Sequence, residues 1–368
     1  MERRHSVGFS EGHEVLGDYG RGRQNYAIRN QGSATNLIPT NSILLVNRSG
    51  ILKHTLPVGI TRRPVAINQD IKALVCGSHA HPEYIAHLVK SAEPVVLTWV
   101  RATTADNFPI GNLRELEIPL PPLDEQQRIA AILDKADQLR QKRRQAIALL
   151  DSLTQSIFLE MFGDPATNPN NFPLMKVGEL AERYSDGPFG SNLKSEHYVD
   201  QGIRIIRLQN IGVGEFIDDD RAYITEEHFN SIAKHECLPG DVLIGTLGDP
   251  NLRACVQPRW LTRALNKADC VQLRPDANIA LSEYCSCLLN QESTMRLAQG
   301  LVLGQTRGRI SMGRLRDLEL PIAPLPLQAR FVSIVRVHEE QKQFLRESAH
   351  QLDALFSSLQ HRAFSGQL

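Results

Sequence analysis

The sequence lacks the features that mark most enzyme and membrane classes. No apolar run approaches the ~20 residues needed to span a bilayer. The opening MERRHSVGFSEGHE has no apolar middle of the kind a secretory signal carries, so a cytoplasmic protein is expected. A GxxxxGK[ST] phosphate loop is absent, which argues against a nucleotide-driven motor, and so are a GxSxG elbow and an HExxH zinc pair. Charge of one sign is also lacking, because 41 Lys and Arg meet 41 Asp and Glu. That balance argues against attachment to nucleic acid by bulk charge, though not against a local basic face. The six cysteines (Cys76, Cys237, Cys255, Cys270, Cys285 and Cys287) form no CxxC pair. Neither a zinc site nor a disulfide framework follows, and a reducing compartment fits.

What the chain does contain is a duplication. Its 368 residues are enough for two or three domains, and 42% hydrophobic residues can build their cores. Residues 113–128, LRELEIPLPPLDEQQR, reappear at 315–330 as LRDLELPIAPLPLQAR. An offset of 202 carries Leu113 onto Leu315, Pro119 onto Pro321, Gln126 onto Gln328 and Arg128 onto Arg330. The same offset aligns LLDSLTQSI (149–157) with QLDALFSSL (351–359) and Phe162 with Phe364. Upstream the likeness is weaker: IPTNSILLV (38–46) resembles LPGDVLIGT (238–246), and Glu83-Tyr84 matches Glu283-Tyr284.

The plan is a globular unit, a proline-rich elbow and a long helix, twice over. Residues 1–112 form the first unit, 113–162 the first elbow and helix, 163–173 a linker of turn formers, 174–314 the second unit, and 315–368 the second elbow and helix. Leu174 opens the second unit, and an offset of 200 from it falls before Met1. The first unit lacks the opening strand and any counterpart of DGPFGSNLK (186–194), so it is expected either to be truncated or to have its start assigned too late.

Each helix carries an apolar seam in steps of three and four, as in a coiled coil. The first seam runs through Ile129, Ile132, Leu139, Leu150, Leu153 and Ile157, and the second through Phe331, Ile334, Leu345, Leu352, Leu355 and Leu359. Both are polar near the middle, so each helix is expected to bury its seam on the other. In the globular units SILLV (42–46), ALVC (73–76), PVVLTWV (94–100), DVLIGT (241–246) and CVQL (270–273) read as strands between turns. A short helix recurs at 82–92 and 282–292, which makes each unit a mixed α+β domain.

Catalytic and metal signals are weak. His79, His81 and His87 could hold a metal, but such spacing more often decorates a loop and a helix surface. Asp218-Asp219-Asp220 reads as a solvated turn, and Asn168-Pro169-Asn170-Asn171-Phe172 only faintly echoes an amino-methyltransferase loop. Basic residues are more suggestive. In the second unit Arg204, Arg207, Arg253, Arg259, Arg263 and Lys267 are dispersed through turn-rich stretches. Ser191, Asn192 and Lys194 sit in a glycine-cornered loop able to approach a phosphate backbone. Gln305, Arg307 and Arg309 have the chemistry to read adenine and guanine edges. Arg48, Lys53, Arg62 and Arg63 are the candidates in the first unit.

The order of globular unit, LPPLDEQQRI elbow, long helix ending MFGDP, second unit with DGPFGSNLK, and second elbow and helix resembles the specificity (S) subunits of type I restriction–modification systems. This resemblance implies two target-recognition domains separated by an antiparallel pair of long helices, related by a pseudo-twofold repeat. It implies a bipartite double-stranded DNA target and no catalysis in the chain itself. It also implies modification (methyltransferase) subunits that bring S-adenosylmethionine, and restriction subunits that bring ATP and Mg²⁺. The other readings are an inactive or truncated recognition subunit and a DNA-modifying enzyme with unfamiliar motifs.

Overall fold

The computed structural model describes residues 36–101, 106–116, 118–303 and 308–368. The chain divides into two compact units, Met1–Gln145 with Arg346–Leu368, and Ala146–Leu345. Two 40-residue helices, α4 (Leu123–Phe162) and α9 (Leu325–Phe364), each lend part of their length to both units. At 1.5 Å per residue each is roughly 60 Å long.

In the first unit, β1 (Asn36–Ile38) pairs antiparallel with β4 (Val65–Ile67). Strand β2 (Ile43–Val46) lies between β3 (Val58–Ile60) and β5 (Ile71–Leu74), with Leu44 opposite both Gly59 and Ala73. Ile43 and Leu45 alternate inward and meet Tyr84, Ile85 and Val89 of α1 (Pro82–Ser91). The stretch 94–100 is not a strand. Helix α2 (Glu93–Thr98) occupies it, with Pro94 in its first turn and Val96 buried. A short apolar run suits either state; the proline at a helix start was the signal favouring a helix. Helix α3 (Ile110–Arg114) leads into the elbow, and Ile129, Ala130, Leu133, Phe356 and Ala363 close the core from the long helices.

The second unit repeats this core and enlarges it. It contains β6 (Leu174–Lys176), β7 (Ala181–Asp186), β8 (Ile203–Ile206), β9 (Ala222–Ile224), α5 (Glu226–Ser231), β10 (Glu236–Cys237), β11 (Val242–Gly245), β12 (Arg253–Val256), β13 (Ala264–Asn266) and β14 (Cys270–Pro275). These are followed by α6 (Ser282–Leu289), α7 (Glu292–Gln299), β15 (Val302–Leu303), β16 (Arg309–Ile310), α8 (Met312–Arg316) and β17 (Glu319–Pro321). An antiparallel sheet runs β12-β11-β14-β7, and a second runs β10-β13-β8-β9 with β13 parallel to β8. An offset near 200 lays β2 on β11, β5 on β14, α1 on α6 and α3 on α8. β6 pairs with β17. Residues 1–35, which open the first unit, lie outside the described residues, and with them the expectation that this unit is truncated.

The elbows are bolted by a duplicated network. Gln126 is fully buried; its side-chain oxygen accepts from the His81 N–H, while its amide donates to the His79 and Pro121 carbonyls. Gln328, equally buried, accepts from the Leu281 N–H and donates to the Ile279 and Ala323 carbonyls. Tyr84 donates to Pro119 O, and Tyr284 donates to Pro321 O. Phe364 meets the Tyr84 ring edge-on at 5.6 Å, and Phe162 meets Tyr284 in the same way at 5.0 Å. After α4, Gly163 adopts φ +75° and its N–H reaches Leu159 O, a left-handed cap that favours glycine.

The helix pair is antiparallel within each unit. In the first, Arg128 reaches Leu368 while Arg140 reaches Asp353; in the second, Asp151 meets Lys342, Thr154 meets His338 and Phe158 meets Phe331. The buried line is shifted from the one drawn on sequence. Leu139, Leu153 and Leu355 are exposed, while their neighbours Arg140, Thr154 and Phe356 turn inward. Apolarity alone chose wrongly there, because the partner helix supplies what a polar side chain needs. Arg140 pairs with Asp137 and Asp353 and lies 4.3 Å over the Phe356 ring. The same offset of 202 builds a second clamp from Lys342, Glu339 and Asp151. Ile129 and Phe331 are buried, whereas Ile132, Leu150, Ile157, Ile334, Leu345, Leu352 and Leu359 are half-buried.

Candidate nucleic-acid interface

Loops at the end of the second unit's sheets where β7 finishes and β14 begins carry Arg207, Lys267 and Arg309, whereas Arg259 and Arg263 lie in the β12–β13 connection at the other end. The loop after β7 is pressed against the β13–β14 turn, where a Cβ on Gly187 would lie 2.1 Å from the Lys267 carbonyl carbon. Only glycine allows that approach. Gly190 turns the loop with φ +63°, leaving Phe189 exposed at its tip. The Arg309 guanidinium lies 5.2 Å over the Phe189 ring, and its Nε is 2.7 Å from Asp269 Oδ1. Lys267 donates to the Tyr198 hydroxyl and, like Arg207, sits over the Tyr198 ring. Lys194 is exposed and 3.3 Å from Glu196; the Asn192 carbonyl accepts from His228.

Four arginines, Arg204, Arg207, Arg253 and Arg263, are engaged within the protein. Arg204 is only 5% exposed; it donates to Asp220 O and pairs with Asp218 at 2.9 Å. Arg207 pairs with Asp220. The acidic run 218–220 is thus an anchor for arginines rather than a solvated turn. Arg253 donates to the carbonyls of Ile211, Leu208, Leu247 and Pro250, tying two loops together. Arg263 bridges Glu226 and Glu236 and covers Phe229. Arg259 is exposed beside the exposed Trp260. Gln305 and Arg307 lie outside the described residues, as does the side chain of Ser191.

In the first unit Arg48 and Arg63 are exposed, Lys53 lies 3.6 Å from Asp106, and Arg62 pairs with Glu83 at 2.8 Å. The histidines of the metal reading are dispersed in role: His87 binds Asp134 on α4, and the His81 ring faces Glu83. No group of three His, Cys, Asp or Glu with metal-holding geometry occurs among the described residues. None of their helices is long and apolar enough to cross a membrane. In the linker, Asn168 exchanges two hydrogen bonds with Phe172, so its side chain serves the turn. Phe189, Tyr198 and Trp260 were missed at the sequence level; aromatic residues flanking basic ones in glycine-rich loops were the available signal.

Comparison with known proteins completes this picture. Residues 19–149 match the family model described as the type I restriction modification DNA specificity domain. That stretch of the chain is similar to the DNA specificity domain of type I restriction–modification systems. Over 109 residues it is 39% identical to the EcoR124I/EcoR124II specificity subunit of Escherichia coli, an alignment covering 29% of this chain and 27% of that protein. The MjaVIII specificity subunit of Methanocaldococcus jannaschii is 19% identical over 355 residues, 89% of this chain and 81% of that one. The fold is that of the type I S subunit from M. genitalium, with TM-score 0.54, 17% identity, and coverage of 89% of this chain and 84% of that one. A structure described as the basis of complex assembly and conformational transition of the type I R-M system matches with TM-score 0.52 and 18% identity, covering 92% of this chain and 85% of that one.

Proposed function

We propose that this chain is the specificity subunit of a type I restriction–modification system, that it reads a bipartite double-stranded DNA target, one half with each globular unit, and that it docks the modification and restriction subunits that act on it. The duplicated elbow carries the reading. Gln126 and Gln328 repeat one network hydrogen bond for hydrogen bond, while the globular units they hold have diverged. A pseudo-twofold frame of this kind matches two half-sites, and unlike units match unlike half-sites. The helix pair then acts as a ruler for the unread spacer. Catalysis belongs to the partners, which bring S-adenosylmethionine, ATP and Mg²⁺.

Among the basic residues, Arg309, Lys267, Lys194 and Arg259 are assigned to DNA, because each is exposed or half-exposed, Arg309 at the start of β16 and the others in loops. Arg309 meets Asp269 through its Nε, which leaves the terminal fork to address a guanine edge or a phosphate. Arg204, Arg253 and Arg263 instead position the loops that carry those four. Zero net charge is compatible with binding if the partners supply cationic surface over the phosphates.

Co-expression with the modification subunit, followed by sequencing of host DNA for modified adenines, tests this. Two defined half-sites at a fixed gap are expected. A motif with one defined half would remove the first unit from the reading, and a stable complex that modifies nothing would favour an inactive recognition subunit.

A further inference from the structure

Both units build the same bridge beyond their central strand, and they place an arginine in it differently. β2 and β5 pair in the register of β11 and β14 at an offset of 199, which lays Leu74 on Leu273 and Ile43 on Val242. That offset carries Arg48 onto Leu247 and Asp70 onto Asp269, while the offset of 202 carries Asn107 onto Arg309. The bridges agree, since Arg48 pairs with Asn107 and Leu247 with Arg309. In each unit the aspartate carbonyl ties down the end of the central strand. Asp70 accepts from the Asn47 and Arg48 N–H groups, and Asp269 from the Thr246 N–H and hydroxyl. The aspartate is thus a turn residue common to both units. What the second unit adds is an arginine against its carboxylate.

We infer that Arg309 reads a guanine in the second half-site, with Asp269 and Phe189 as its positioning residues and Lys267 on a nearby phosphate. This rests on the DNA reading proposed above, and it decides which of two acceptors Arg309 meets. Charge is the first argument. Asp269 Oδ1 lies 2.7 Å from Arg309 Nε, so the two side chains together carry no net charge. A phosphate is held mainly through net positive charge, and here it would also face a carboxylate. A guanine edge offers two neutral acceptors, O6 and N7, and asks for geometry instead. Geometry is the second argument. The Arg309 backbone is bridged to Leu247, and the next N–H, of Ile310, donates to Thr246 O. Asp269 takes the Nε edge of the guanidinium, and the Phe189 ring lies 5.2 Å from its centre. Neither terminal nitrogen has a hydrogen-bond partner among the described residues. A planar fork fixed in this way suits bidentate contact with O6 and N7. Lys267, in the same turn, is the opposite case. Its ammonium donates to the Tyr198 hydroxyl and pairs with no carboxylate among the described residues, so it keeps its full charge for a phosphate.

The test uses the full chain co-purified with its modification subunit, bound to duplexes carrying the modified motif and each single-base change in its second half. The wild type is expected to prefer guanine at one position there by about 5- to 150-fold, the range of one bidentate contact. Arg309→Ala and Arg309→Lys should lose that preference at that position alone, with the salt slope of binding unchanged. Asp269→Gly accepts the φ of +68° found there and removes the carboxylate. Its guanine preference should fall while non-specific binding grows and steepens with salt, because the arginine charge is no longer offset. A residue serving the turn alone would move neither quantity. Asp269→Asn also tolerates the turn and repeats the charge effect should the glycine variant fail to fold. Phe189→Ala should lower the guanine preference in part, and Lys267→Ala should lower the salt slope by about 1 with every base preference intact. An Arg309→Ala complex that keeps all base preferences, or whose salt slope falls by about 1, puts Arg309 on a phosphate and overturns the inference. Wild-type guanine preference in both Asp269 variants overturns the positioning role. A wild-type complex that binds every duplex alike ends the second unit's DNA reading, and the inference with it.

Discussion

The first and second units differ where they would read and agree where they are held. In the first, a three-stranded sheet packs on α1 and a two-stranded ribbon accompanies it, with Arg62 and Lys53 paired at the surface. In the second, two four-stranded sheets raise loops 187–194 and 267–269 and surround them with arginines anchored from beneath. Yet the buried glutamine, the tyrosine hydroxyl on a proline carbonyl and the edge-on phenylalanine recur at each elbow. Such an elbow tolerates little change, because every buried polar group in it depends on a specific partner. A reader's loops are free to vary once such a frame carries them.

The largest break in this equivalence should come from the aromatic bolts. Phe162 is buried against Tyr284, Phe158 and Phe331, whereas Phe364 is half-buried. Phe162→Ala is expected to cost about 3–5 kcal/mol, and Phe364→Ala clearly less. Urea unfolding followed by hydrogen exchange in each unit measures both, and equal losses would contradict the burial difference. The glutamines, by contrast, should match. Gln126→Ala and Gln328→Ala each strand one N–H and two carbonyls in the interior, at about 2–4 kcal/mol apiece. Midpoints differing by more than about 1 kcal/mol would show that the two elbows are not energetically equivalent.

Replacing a reader separates binding from stability. Arg309→Ala in the assembled complex should weaken DNA binding several-fold and, if the contact is a phosphate, lower the salt slope by about 1. Arg253→Ala should instead lower the second unit's unfolding midpoint, since it unties four carbonyls. Identical binding by Arg309→Ala and wild type would remove that residue from the interface.

The smallest effects lie in the two ion clamps, and their pH signs are opposite. Hydrogen bonding to Arg140 holds the Asp353 carboxyl below its usual range. Its contribution is therefore present above the unfolded value and lost as pH falls through the folded one, below about pH 4. Burial alone would depress the Lys342 ammonium, but bonds to Asp151 and Glu339 outweigh it and raise the pKa. That contribution is present below the unfolded value and lost as pH climbs past about 10–11. Unit-resolved hydrogen exchange at the two pH extremes should show the first clamp failing in acid and the second in alkali.

The repeat, the elbows and the two long helices were all legible in the sequence. They rest on local rules, namely proline placement, heptad spacing and a constant offset. Leu139 and Arg140 mark the limit of that legibility: either could face inward by spacing, and Asp353, 213 positions away, makes the arginine the buried one. The acidic run at 218–220 was opaque for the same reason, since its partners Arg204 and Arg207 reach it only in the folded sheet. Composition showed a basic set without its members' roles. Tertiary structure divided that set into anchors and exposed loop residues, because an arginine's availability depends on which oxygens the fold brings within reach.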